Sequence, residues 1–243
     1  MRYFVKVSYD GTNYAGWQSQ PNKVTVQSQI ELALKKITKE NIMIHGSGRT
    51  DARVHALNQV FHFDTELFID EAGWTRAFNS HLPKDIVVKC TKRVSDDAHC
   101  RRDAKKKYYQ YLINTGKYNL FDRNTIYQYN KKLDLDKMIE ASSIFIGVHD
   151  FSSFCANTKE EKENQIREIF EINFTVEKDI ISVMFVGNGF LRYMVRMLMG
   201  ALIDVGRGKI TTDELKAIFN KKDKDACNCN ADPCGLYLVK VCY

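Results

Sequence analysis

The sequence predicts an α+β fold of two similar halves, each a mostly antiparallel sheet with helices on one face. Three observations carry that expectation. Apolar residues alternate with period two near 3–9, 59–63, 86–91, 165–176 and 180–186, as half-buried strands require. Stripes at helical spacing lie between and after them, near 25–38, 71–81, 134–144, 188–205 and 211–220. A basic run, Arg101-Arg-Asp-Ala-Lys-Lys-Lys107, then splits the chain into residues 1–100 and 101–243, whose strand–helix–strand contents are alike.

Tyr3, Val5, Val7 and Tyr9 share one face of the first strand. Asp10-Gly11-Thr12-Asn13 signals a turn. Thr25 is a capping residue for a helix to Thr38, with Val26, Ile30, Ala33, Leu34 and Ile37 as its buried stripe. Ile42, Met43 and Ile44 read as a short strand, and Gln59 to Phe63 as its successor. A helix from Glu71 to His81 stops before Pro83, which cannot continue it. Ile86 to Thr91 is again extended.

In the second half, Tyr109 and Tyr111 fall on one face of a strand, opposite Tyr108. Asp134 to Ile144 is helical by spacing. Residues 165–176 and 180–186 form a hairpin around Glu177-Lys178-Asp179. Asn188 to Val205 is a helix apolar over most of its circumference, so it is expected to be buried. Thr211 and Glu214 make a capping box for a helix to Asn220. Gly235 to Val239 closes as a strand.

The 44% hydrophobic and 27% charged content is that of a soluble globular protein. No apolar run approaches membrane-spanning length and no signal-peptide pattern opens the chain, which points to the cytoplasm. A net charge of +6 permits a polyanionic partner without demanding one. The run at 101–107 leads into Tyr108-Tyr-Gln-Tyr111, and basic residues beside aromatics suit phosphate contacts next to base stacking. Seven cysteines in such a chain read as thiols. Cys227, Cys229 and Cys234 cluster, but no matching second pair completes a zinc pattern, so no metal site is expected.

The stretch Gly46-Ser-Gly-Arg-Thr-Asp-Ala-Arg-Val-His-Ala56 concentrates the chemistry. It lacks the Lys-Ser/Thr of a phosphate loop and the third glycine of a dinucleotide fingerprint. Alone it describes a polar turn with Asp51 capping a backbone N–H, or a carboxylate placed as nucleophile or base. Gly48-Arg-Thr-Asp-Ala52 with Val54-His-Ala56 resembles the signature of the tRNA pseudouridine synthase A family. Asp10-Gly11 with Gly16-Trp17-Gln18, Asn79-Ser-His-Leu-Pro83, Ala104 to Tyr111, Asp150-Phe-Ser-Ser-Phe154, Met194-Val-Arg196 and Gly235-Leu-Tyr-Leu238 resemble further family motifs, in the family's order.

The resemblance implies a cleft between the halves, Asp51 as catalytic residue, and Tyr109, Arg49, Arg196 and Leu236 as substrate-binding residues, with Arg196 paired to Asp51. It further implies uridine-to-pseudouridine isomerisation in the anticodon stem–loop of transfer RNA, at the family's positions 38–40, on a base turned out of its stack. No organic cofactor and a homodimer go with it. Arg101, Arg102, Lys105 and Lys106 are expected on RNA phosphates. One departure stands out: the family has glycine where this chain has Arg53. A positive φ there would strain an arginine. The same departure motivates an alternative, a non-catalytic RNA-binding module with a degenerate site.

Overall fold

The computed structural model describes residues 1–156 and 164–243. The chain forms two compact units, Met1–Lys105 with Tyr237–Tyr243, and Lys106–Leu236. The fold is α+β with mostly antiparallel strands. Residues 101–105 and Tyr237–Tyr243 belong with the first unit and not with the second.

In the first unit, β1 (Arg2–Tyr9) pairs antiparallel with β3 (His55–Asp64) and with β4 (Ile86–Val94). The other edge of β3 takes β2 (His45–Gly46) antiparallel and β10 (Leu236–Cys242) parallel. The predicted alternation holds in β1: Tyr3, Val5, Val7 and Tyr9 are all buried. Helix α1 (Val26–Thr38) starts at Thr25, whose side chain accepts from the Ser28 N–H while Ser28 reciprocates. Helix α2 (Glu71–His81) lays Trp74 and Phe78 against Tyr3, Phe61 and Phe63 of the sheet. These edge-to-face and tilted rings are the core of this unit.

Ile42 to Ile44 is not a strand; the two-residue β2 follows it. Only Ile44 of the three is buried, and Met43 is 72% exposed. Pairing with β3, not apolarity, decides where that edge becomes extended.

In the second unit, β5 (Lys106–Asn114), β9 (Ile180–Gly187), β8 (Ile166–Glu177) and β7 (Gly147–Asp150) pair antiparallel in that order. The short β6 (Tyr127–Gln128) adds to β5 in parallel. Tyr109, Tyr111 and Ile113 are buried on one face of β5. Helices α3 (Leu135–Ser142), α4 (Met194–Gly206) and α5 (Thr212–Asn220) pack together. Every residue of α4 except Arg196 is buried. The helix begins six residues later than its apolar pattern suggests, because Tyr193 holds φ at 62° and cannot continue it backwards.

Candidate active-site loop

Residues 47–54 run between β2 and β3, and backbone-to-backbone packing fixes their path. Gly16 has φ at 92°, and a Cβ there would lie 2.7 Å from the Thr50 carbonyl oxygen and 3.1 Å from the Asp51 carbonyl carbon. Only glycine tolerates both demands. A Cβ on Gly11 would run into the Val54 carbonyl. The Trp17 N–H donates to the Thr50 carbonyl at 3.0 Å, and the Arg53 N–H to that of Tyr14 at 3.2 Å. The indole of Trp17, 2% exposed, fills the space a Gly46 side chain would need. Gly46 thus serves close approach to an indole.

Side chains add to the clamp. The Tyr9 hydroxyl meets Thr50 Oγ1 at 2.8 Å, and burial pushes the Tyr9 phenol upward against that contact. Ser47 donates to Gln59 at 2.6 Å, and Gln59 donates to the Gly48 carbonyl at 2.9 Å. The same N-terminal loop caps α1: the Val26 and Gln27 N–H groups donate to Gly16 and Trp17 carbonyls. The N-terminal glycine motif and the aspartate motif are therefore two sides of one contact.

His55, a motif residue with no role read from sequence, closes the far end. It is 2% exposed and stacks on Tyr237 at 4.7 Å. The Gly11 N–H donates to its Nδ1 at 3.1 Å, and the same atom lies 3.1 Å from Asp10 Oδ1. Burial alone would raise the Asp10 carboxyl, but hydrogen bonds from Thr12 and the charge of His55 outweigh it, and its pKa falls below the ordinary value.

On this frame Asp51 is half-buried and Arg49 exposed. Arg53 stands exposed with φ at 65°, so the glycine-typical position does demand a left-handed backbone. An arginine held there costs roughly 1–2 kcal/mol.

In the second unit, Tyr109 is 7% exposed with its ring edge-on to Phe190 at 5.2 Å. Tyr111 is spoken for structurally: its hydroxyl donates to the Asp232 carbonyl at 2.6 Å. Arg196 donates from Nε to the Ala231 carbonyl at 2.9 Å. Arg192 precedes α4, yet its guanidinium and that of Arg196 both lie over the Tyr193 ring, at 5.1 and 5.2 Å. Leu236 is buried at the start of β10.

Of the basic run, Arg101, Arg102 and Lys105 are exposed in the first unit, and Lys106 is exposed in the second over the Phe170 ring. The structure thus gathers Asp51, Arg49 and the loop clamp in one unit, and Tyr109, Arg196 and Leu236 in the other. Among the cysteines singled out from sequence, Cys229 donates to Asp204 at 3.2 Å.

Fold and loop together define an α+β scaffold that presents one carboxylate on a rigid turn. The family model described as tRNA pseudouridine synthase matches residues 6–103 and 141–243, and the chain belongs to that family. The chain is similar to tRNA pseudouridine synthase A of Bacillus subtilis, 42% identical over 246 residues, covering 100% of this chain and 99% of the relative. It is 44% identical over 238 residues to the synthase A of Caldicellulosiruptor saccharolyticus, covering 98% and 97%. It is 42% identical to tRNA pseudouridine synthase A 1 of Bacillus cereus, covering 98% and 96%.

Proposed function

We infer that the protein isomerises uridine to pseudouridine in transfer RNA, with Asp51 as the catalytic residue. The reaction breaks the bond from N1 to the ribose C1′, turns the uracil, and joins C5 to C1′. C5 gives up a proton and N1 gains one, so nothing is oxidised or reduced. A carboxylate starts this by attacking the sugar or the base, or by taking a proton from the sugar.

One observation carries the reading. In a chain of this family, Asp51 is offered half-buried on a loop locked by Gly11, Gly16 and Trp17, and a fixed carboxylate is what positional catalysis needs.

Tyr109, Arg49, Arg196 and Leu236 are the substrate-binding residues of this proposal. Tyr109 stacks on the extruded uracil and Arg49 occupies the space it vacates or binds the next phosphate. Arg101, Arg102, Lys105 and Lys106 hold backbone phosphates. The substrate region is the anticodon stem–loop at positions 38–40, the enzyme works as a homodimer, and it resides in the cytoplasm. No helix among the described residues is long and apolar enough to cross a membrane.

The test is tritium release from transfer RNA carrying 5-tritiated uridine, with product mapped by position. Asp51→Asn is expected to lower turnover by at least about a thousandfold while leaving RNA binding nearly intact. Normal turnover in that variant ends the assignment. Tight RNA binding by the unaltered protein with no release would identify a non-catalytic module instead. A monomer mass by light scattering would remove the homodimer.

A further inference from the structure

A second cluster of reactive side chains lies in the first unit and takes no part in the clamp. Among the described residues, His62, His99 and Cys100 bring one ligand atom each to within 4.8 Å of one another. His62 Nδ1 and Cys100 Sγ are 3.1 Å apart. His62 is 1% exposed and Cys100 fully buried, while His99 is half-buried. The His99 ring meets the His62 ring edge-on at 4.7 Å.

The topology explains the meeting. His62 sits on β3, opposite His45 on β2 and Phe4 on β1. His99 and Cys100 lie on the segment that leaves β4. Two anchors hold that segment: the Cys100 thiol donates to the His45 carbonyl at 3.0 Å, and the Tyr243 hydroxyl donates to the Cys100 carbonyl at 2.9 Å. Residues nearly forty positions apart are thus fixed against one strand edge, which no spacing of two paired knuckles would reveal.

We propose that His62, His99 and Cys100 form a binding site for a divalent zinc-class ion. One thiolate and two imidazoles suit a borderline-soft cation and leave out the oxygen donors that calcium or magnesium needs. Zinc bonds of about 2.3 Å to sulfur and about 2.0 Å to nitrogen put donor atoms roughly 3.5 Å apart. The His62–Cys100 pair opens slightly to reach that spacing, and His99 closes by at most about 1.3 Å.

Two adjustments complete the site. Binding displaces the Cys100 thiol proton to solvent, since the thiolate is the ligand; the hydrogen bond to the His45 carbonyl is given up with it, and the Tyr243 contact still holds the segment. His99 Nδ1 accepts from the Arg101 and Arg102 N–H groups at 3.1 and 3.3 Å. The His99 ring must therefore turn, or ligate through that atom. His45, exposed and stacked on His62 at 5.0 Å, or a water, fills the fourth position. An ion there would staple β2, β3 and the segment after β4 together.

The experiment is a cobalt(II) titration of chelator-treated protein, read by the thiolate-to-cobalt charge-transfer band and reversed by zinc. One equivalent with a single thiolate is expected. Cys100→Ala and His62→Gln should each weaken binding by at least about tenfold. A protein carrying Cys227→Ser, Cys229→Ser and Cys234→Ser together should keep the band. No saturable band in the unaltered protein, or a band that survives Cys100→Ala, overturns the site. Should the two buried variants fail to fold by circular dichroism, His99→Gln decides: weakened binding supports the site and unchanged binding overturns it.

Discussion

Two residues with full side chains stand in the left-handed backbone region beside the residues of interest, and they are handled oppositely. Arg53, φ 65°, follows Asp51 by two positions in the first unit. Tyr193, φ 62°, caps the start of α4 three residues before Arg196 and leaves Arg192 outside the helix in the second. Around Arg53 the backbone is gripped, yet its side chain is exposed and makes no hydrogen bond or ion pair among the described residues. Tyr193 gives its ring to two guanidiniums at about 5 Å. At the first position the strain is incidental to the side chain, because glycine would serve. At the second the strained residue also organises its neighbours.

The largest effect is expected where the backbone of the first loop is gripped. Gly16→Ala forces a Cβ against the Thr50 carbonyl at a φ of 92°, and should cost roughly 3 kcal/mol or more by chemical denaturation. Turnover should fall with it, since Asp51 moves. An unchanged midpoint would mean the two loops are not mutually locked.

In the second unit the corresponding anchor is electrostatic. Asp204, buried near the end of α4, pairs with Arg207 at 2.6 Å and Lys209 at 2.9 Å and accepts from Cys229. Burial alone would raise its carboxyl, but those hydrogen bonds and charges overcome it, and its pKa is lowered. A lowered carboxyl contributes stability above about pH 3.9, its unfolded value, and that stability drains as pH falls through the folded value. Asp204→Asn should therefore cost roughly 1–2 kcal/mol at neutral pH. The gap to the unaltered protein should close below about pH 4; a gap independent of pH would refute the ionic account.

Smaller effects separate the two left-handed residues directly. Tyr193→Ala keeps the unfavourable φ and loses both cation contacts, so about 1–2 kcal/mol should go. Arg53→Gly should raise stability by about 0.5–1 kcal/mol, the relief of strain less the entropy of glycine in the unfolded chain. If Arg53→Gly destabilises, the arginine side chain has a role that its exposure conceals.

Much of this was legible beforehand because periodicity reports burial. The β1 face, the α1 stripe from Val26 to Leu34 and both capping threonines are local facts. The glycine-typical position at Arg53 was readable as a conformational demand, and the backbone makes it. What escaped depends on distant partners. β2 is two residues long and exists only opposite His62 and Phe61. β3 begins at His55, four residues before its alternation starts, because Tyr237 pairs there. Nothing near Tyr193 announces a helix that starts late, with no capping side chain. The His62–His99–Cys100 cluster escaped for the same reason.

The return of β10 to the first unit has a consequence for biosynthesis. As the chain leaves the ribosome, residues 1–105 emerge early, but the β3 edge that Tyr237 and Leu238 occupy stays open until the rest has been translated. An unpaired edge is a template for wrong partners. Nascent chains stalled before residue 237 should therefore cling to chaperones or to one another, whereas completion closes the sheet.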